Sequence, residues 1–474
     1  MDAIRWPRLN PVDPVLAPLA MGAVCALAAV SADLRIQLAL LSPMIAAGVL
    51  WWSVNGPNRW LFLFFPCLLL TPPIPAPVGD AGLHFAPVPA LMGLLFGGLH
   101  LRHWTRRLPV PALALAAFTA ALLLSIVPAA LYSGPNIAFG SLLRVGLFSI
   151  AVYVFFYSLA GPEQTDAESL RFTRFLFICA SVAALFACVD FYLQLPAPAG
   201  FEAQYVWLDE GVFRRAQGLF YEASTLGNFC AFFLTMIAVA LLRPRRESPC
   251  SRILLLAGGA LFAAALIFSY SRASVLNVVV ALTSLLFLRS VGRVRIWKPL
   301  CIGILVSALS GFAVNLALPS FSASYWARIA NSFQYFWYSP DGILSGRLNS
   351  WTSVANYLSN QPWHAIFGVG YKTLAYSDVT GAPLIVDNTW LSLLAETGII
   401  GLTAFVFLNV SILRYSYRAA RSARSASSFF GEWIFCFWIG EMVQMMSGDL
   451  VTYWRVLPLY FWVLGAAIRE RVPN

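Results

Sequence analysis

Residues Pro109–Tyr132 read PVPALALAAFTAALLLSIVPAALY, a stretch without one charged side chain. A hydrocarbon layer roughly 30 Å thick is crossed by about 20 helical residues rising about 1.5 Å each, so this stretch reads as a transmembrane helix. Working outward, stretches of similar character lie at roughly 14–31, 36–53, 59–73, 84–101, 140–160, 172–194, 218–242, 253–269, 273–288, 299–318, 386–413, 427–447 and 450–468. The third is short and ends in Thr71-Pro72-Pro73, so it can tilt, bend or re-enter, and about 12–14 spans are expected. Over all 474 residues 59% are hydrophobic and 11% charged, with a mean hydropathy of +0.74. No composition break and no fixed-period repeat sets off a soluble part. The expected fold is an all-α, polytopic integral membrane protein forming one membrane domain over residues 1–474.

The net charge of +10 could suggest a nucleic-acid partner, but its distribution says otherwise. With the N-terminus placed in the cytoplasm, 22 of the 31 lysines and arginines fall on the cytoplasmic side, among them Arg102, Arg106, Arg107, Arg243, Arg245, Arg246, Arg289, Arg293 and Arg295. This is the positive-inside asymmetry, so the charge reports topology, with both termini cytoplasmic and no nucleic acid bound. Arg5 and Arg8 ahead of an apolar run ending Ala29-Val30-Ser31-Ala32 also fit a cleavable signal peptide. Retention as a helix is the expectation, and cleavage leaves the remaining topology unchanged. The eight cysteines fall in spans or cytoplasmic loops, which implies no disulfide framework. Four scattered histidines without metal-ligand spacing imply no protein-held zinc.

Two longer loops are expected outside, at 195–217 and 319–385. The second carries Tyr325, Trp326, Tyr335, Phe336, Trp337, Tyr338, Trp351 and Trp363, which suits short helices at the membrane interface. Those rings serve either as an interfacial aromatic belt or as stacking platforms for sugars.

Charges at the outer ends of helices are the informative ones, because an ionised group near hydrocarbon is costly. The basic candidates are Arg144, the pair Arg214/Arg215, Arg272 and Arg455. Arg272, in Ser269-Tyr270-Ser271-Arg272, sits in a tight gap between two spans, where a guanidinium either snorkels to headgroups or binds an anion. Arginines converging on one point would clamp a diphosphate, since their planar forks match phosphate oxygens. The acidic candidates are Glu222, Asp387, Glu396, Glu441 and Asp449. Asp387, with Asn388 beside it, opens a helix, as an N-cap or as a general base.

Asp387-Asn388 followed nine residues later by Gly398-Ile399-Ile400-Gly401 resembles the signature of the bacterial O-antigen ligases and the related O-antigen and exopolysaccharide polymerases. Phe367-Gly368-Val369-Gly370-Tyr371 resembles that family's glycine-rich stretch, and Arg272 with Arg214 or Arg215 resembles its two essential arginines. The resemblance covers roughly 210–405. It implies a GT-C-type, inverting, metal-independent glycosyltransferase of the inner membrane, without cofactor and with its active site facing the periplasm. The implied donor is an undecaprenyl-diphosphate-linked glycan, and the acceptor a second glycan or lipid A core, among membrane lipids and with a chain-length regulator as a further partner. Asp387 would be the catalytic base and Arg214, Arg215 and Arg272 the diphosphate clamp. Arg144, Glu222, His364, Asn388 and Tyr270 would support them, with His364 as a fallback base. The family's histidine is Asp387 here, which favours polymerase over ligase. A transporter of lipid-linked sugar or anion is the alternative of another class, and a scaffold in polysaccharide assembly a third.

Overall fold

The computed structural model describes residues 58–72, 84–99, 108–161, 165–195, 204–208, 211–220, 222–290, 312, 315–316, 319–334, 347–423 and 425–469. The chain forms two compact units, Met1–Leu63 and Phe64–Asn474. The expected spans at 14–31 and 36–53, and most of 299–318, lie outside the described residues, as does the segment read as helix or signal peptide.

The described helices are α1 (Arg59–Leu70), α2 (Pro87–Leu99), α3 (Val110–Leu124), α4 (Ile126–Ser133), α5 (Pro135–Ala160) and α6 (Asp166–Leu193). A hairpin of β1 (Tyr205–Leu208) and β2 (Gly211–Arg214) follows, then α7 (Ala223–Leu241), α8 (Arg252–Phe268) and α9 (Arg272–Ser290). The rest are α10 (Pro319–Gln334), α11 (Arg347–Asn360), α12 (Pro362–Phe367), α13 (Thr389–Ala420), α14 (Ser425–Gln444) and α15 (Leu457–Ile468). Among the described residues six helices are long and apolar enough to cross a membrane, with shorter apolar helices beside them. The chain is a polytopic all-α membrane protein.

Local chemistry explains the joints. The stretch from Val110 to Ser133 breaks at Ser125, because Pro128 cannot donate to the carbonyl four residues back and crowds it. Gly134, at φ 89°, and Pro135 at the first helical turn then reverse the chain into α5. A capping box opens α6: the Thr165 hydroxyl accepts from Glu168 N–H at 3.2 Å, and Glu168 Oε2 accepts from Thr165 N–H at 2.7 Å. The outer surface carries Leu131, Phe287 and Ile253, as lipid contact requires, while Trp433, Trp438, Trp462, Phe232, Phe233 and Phe262 fill the interior.

The described residues of 195–217 include a two-stranded hairpin. Tyr205 pairs with Arg214 and Leu208 with Gly211 in an antiparallel ladder, and Gly211 has φ 139°. The described part of 319–385 carries the expected short helices, and a small apolar core of Val354, Leu358, Val369, Leu374, Val386 and Ala395 anchors α11 to the glycine stretch and α13.

Candidate active site

The glycines of the signature build a backbone knot. Helix α13 breaks at Gly398 (φ 69°, ψ −173°), which frees carbonyls that an unbroken helix would satisfy internally. The glycine stretch supplies the donors: Val369 N–H bonds Ala395 O at 3.0 Å and Gly370 N–H bonds Glu396 O at 2.8 Å. A Cβ on Gly398 would collide with the Ile366 carbonyl, and one on Gly368 with that of Glu396. Gly370, at φ 117°, lies directly against Ala129 of α4. Tyr371 is then fixed at both ends, its N–H to Ser125 Oγ at 3.3 Å and its carbonyl by the Ser141 hydroxyl at 2.5 Å.

Asn388 caps α13, its Oδ1 accepting from the N–H groups of Trp390 and Leu391 at 3.0 and 3.1 Å. The cap is thus Asn388 and not Asp387. Asp387 sits in the left-handed region at φ 46° and turns its carboxylate to Arg347 of α11, whose Nε and Nη2 both reach Oδ2 at 3.1 Å. Trp351, one turn along α11, donates to the Val386 carbonyl at 2.9 Å. The helix in the long loop therefore holds the Asp387 turn from both sides.

The two adjacent arginines separate. In β2, Arg214 points inward, buried in an ion pair with Asp190 of α6 at 2.5 Å, with further bonds to Gln217 Oε1 and Leu195 O. Arg215 points the other way: its Nε donates to the Ser269 carbonyl at 2.9 Å and its Nη1 to Gln204. Ser269 begins the turn that ends at Arg272, the first residue of α9, so Arg215 is bonded to the turn that carries Arg272. Tyr270 in that turn is buried at φ 57°, with its ring against Phe321 and Tyr325 of α10.

Hydrogen bonds bring this turn and Asp387 to the same end of the bundle. Gln444, the last residue of α14, donates to Ser274 Oγ at 3.0 Å, in the first turn of α9. The next residue, Met445, accepts at 2.9 Å from the N–H of Thr389, two positions after Asp387. Glu222 precedes α7 at that end, where Gly227 packs against Ser269 and Ser274. Its side chain is exposed to solvent. Burial raises its pKa; the bond from the Ser224 hydroxyl at 2.8 Å opposes the rise, and Asp387 adds to it.

Lys372 completes the cluster. It lies just beyond the glycine stretch at φ 56° and ion-pairs with Asp449. Burial acts to lower its pKa, but Asp449 and then Glu396 outweigh it, and the ammonium is raised. Glu396 itself is buried in α13. Arg144 stacks over the Tyr376 ring at 4.3 Å. Arg455 is buried, donating to Leu68, Thr71 and Leu219 carbonyls, and so ties the end of α1 to the segment before α7. His364 pairs through Nδ1 with the Tyr357 hydroxyl at 2.5 Å, lies against Tyr132, and has its pKa lowered by burial. Those contacts suit a structural role.

Sequence reasoning missed Arg347 and Lys372. Neither sits in a recognisable motif, although Lys372 directly follows the Tyr371 that ends the glycine stretch. The signal for Arg214 was present: Asp190 is a lone acid inside an expected span and needs a cation.

The fold is that of a polytopic membrane protein with a group of charged side chains at one end of its helices. Residues 257–406 are similar to a family model described as O-antigen ligase, a match over about a third of the chain. The match includes Arg272, Arg347, Lys372, Asp387, Gly398 and Gly401, and begins after Arg214, Arg215 and Glu222. No curated protein matches the chain.

Proposed function

We propose that the chain transfers a glycan from an undecaprenyl-diphosphate carrier to an acceptor hydroxyl at the periplasmic face of the inner membrane. The observation that carries this reading is the convergence of Arg215 on the Ser269–Arg272 turn, at the bundle end where Arg347 holds Asp387. Arg215 and Arg272 grip the diphosphate and offset the charge that grows as it departs, as preorganised donors do. Arg214, engaged with Asp190, shapes the hairpin that presents Arg215. Asp387 takes the acceptor proton on its Oδ1 while the acceptor oxygen attacks the anomeric carbon opposite the leaving diphosphate, which gives inversion. The carbon–oxygen bond to the carrier breaks, and the released diphosphate keeps the electron pair. The guanidiniums do the work a divalent cation would otherwise do, so the step calls for no metal.

A carboxylate at the position of the family's histidine favours polymerisation, in which the acceptor is another lipid-linked repeat. Purified protein given lipid-linked repeats alone then yields a ladder of lengths. A product only when lipid A core is added makes it a ligase instead. Arg272→Ala tests the clamp. Loss of one such donor lowers the transfer rate by about 10²–10³, and a rate within about threefold of wild type removes Arg272 from it.

A further inference from the structure

Glu441 lies one turn before the end of α14, fully buried, and its hydrogen-bond partners are amides. Its Oε2 accepts from Asn228 Nδ2 of α7 and, at 2.8 Å, from Asn277 Nδ2 of α9. The same Asn277 nitrogen bonds Gln444 Oε1 at 3.0 Å, and the Tyr460 hydroxyl of α15 donates to Asn228 Oδ1. Two oxygens are left over: Glu441 Oε1 and Asn277 Oδ1 are buried without a hydrogen-bond partner. They belong to the same carboxyl and the same amide that already share an N–H bond.

An ionised carboxylate buried without a cation costs several kcal/mol, and each orphaned acceptor costs about 1–3 kcal/mol more. One proton on Oε1, donated to Oδ1, removes all of these costs together. A metal cation fits less well, because it needs about six oxygen ligands around it. Here α9 and α14 pack so closely that a Cβ on Gly440 would collide with both Asn277 oxygens.

We propose that Glu441 and Asn277 form a proton-binding site between helices: the acid is held neutral and closes a reciprocal acid–amide pair with the asparagine. The pair links α9, which begins at Arg272, to α14, whose next residues hold Ser274 and Thr389. The proton thus fixes the register between the Arg272 turn and the Asp387 turn, and the assignment stands whatever reaction that end performs. The ionisable groups facing Glu441 are Tyr460 of α15 and Tyr453 of the segment before it, with Cys230 of α7 beside Tyr460. Of the other charges on elements packed against α14, Glu396 of α13 has Lys372 beside it, Asp190 of α6 pairs with Arg214, Arg289 of α9 with Glu432, and Glu247 of the turn after α7 with Arg243.

Infrared difference spectra of the purified full chain, wild type against Glu441→Gln, test this directly. At neutral pH the wild type shows a protonated carboxyl C=O band that Glu441→Gln lacks. The variant keeps the wild-type thermal midpoint, because its amide offers the same donor and acceptor. Asn277→Ala moves the band by removing the acceptor, a reading that stands if Glu441→Gln does not fold. In alkaline buffer the wild-type midpoint falls and that of Glu441→Gln does not. An absent or unmoved acid band overturns the proposal. So does a midpoint that sodium raises over choline in the wild type but not in Glu441→Gln, which would mark a metal-cation site.

Discussion

The two ends of the bundle use charge in opposite ways. At the end where α7 and α9 finish and α14 begins, Glu432 is shared by Arg243 at 3.2 Å and Arg289 at 2.5 Å. Arg243 spends further N–H groups on Ser425 O and Ser428 Oγ at 2.9 and 2.7 Å. Both oxygens of the Glu432 carboxylate are matched. At the other end, among the described residues, Asp387 commits Oδ2 to its ion pair, and Glu222 is exposed with the Ser224 hydroxyl as its side-chain hydrogen-bond partner. A carboxylate with both oxygens matched serves as a rivet, whereas carboxylates with spare oxygens at a solvent-open end can take a proton from a substrate.

The contrast predicts which substitutions separate activity from stability. The largest effect belongs to Asp387→Asn, which keeps the shape and removes the base: transfer falls by about 10²–10⁴ with an unchanged thermal midpoint. A stable variant that retains full transfer erases the distinction drawn between the ends. The mirror case is Glu432→Ala, which strands two guanidiniums with little exposure and costs about 3–5 kcal/mol. Its midpoint drops, while the folded fraction keeps wild-type transfer per molecule. Between them, the adjacent arginines at the end of β2 sharpen the comparison. Arg214→Ala leaves Asp190 without its cation and lowers stability, whereas Arg215→Ala lowers transfer and spares the midpoint. Reversed outcomes would exchange their roles. Gly398→Ala places a Cβ where φ is 69° and the Ile366 carbonyl already sits, costing about 1–3 kcal/mol from backbone strain alone. Thermal unfolding measures it.

Much of this contrast was legible in the sequence, because hydrocarbon length and arginine distribution are strong one-dimensional signals. Arg272 and Asp387 stood out since charges at span ends are few. What stayed hidden depends on pairing across long separations. Arg347 lies 40 residues before Asp387 and acts only because α11 folds back on the Asp387 turn through Trp351 and Val386. Arg214 and Arg215 looked equivalent because the hairpin was unannounced. Once the hairpin is known, Arg214 ends β2 against Asp190, and Arg215, the residue after it, bonds the Ser269 carbonyl instead. Asn388 and Asp387 were both plausible caps. The left-handed φ at Asp387 decided it, a feature that neighbouring residue types do not fix.

The smallest predicted effect concerns Glu222 and tests whether the open end is a recess at all. Burial comes first among the causes that raise its pKa, and the nearby Asp387 carboxylate reinforces it against the Ser224 bond. A carboxyl raised in the folded state contributes stability that is fully present below the ordinary carboxylate range and is lost as pH rises through the raised value. Glu222→Gln removes that loss. Its midpoint should match the wild type in acid buffer and exceed it slightly in neutral and alkaline buffer, as thermal unfolding across pH would show. Parallel midpoint curves would mean that Glu222 stands in bulk water, where neither burial nor Asp387 reaches it. The open end would then lack the enclosed carboxylates that set it apart from the Glu432 end.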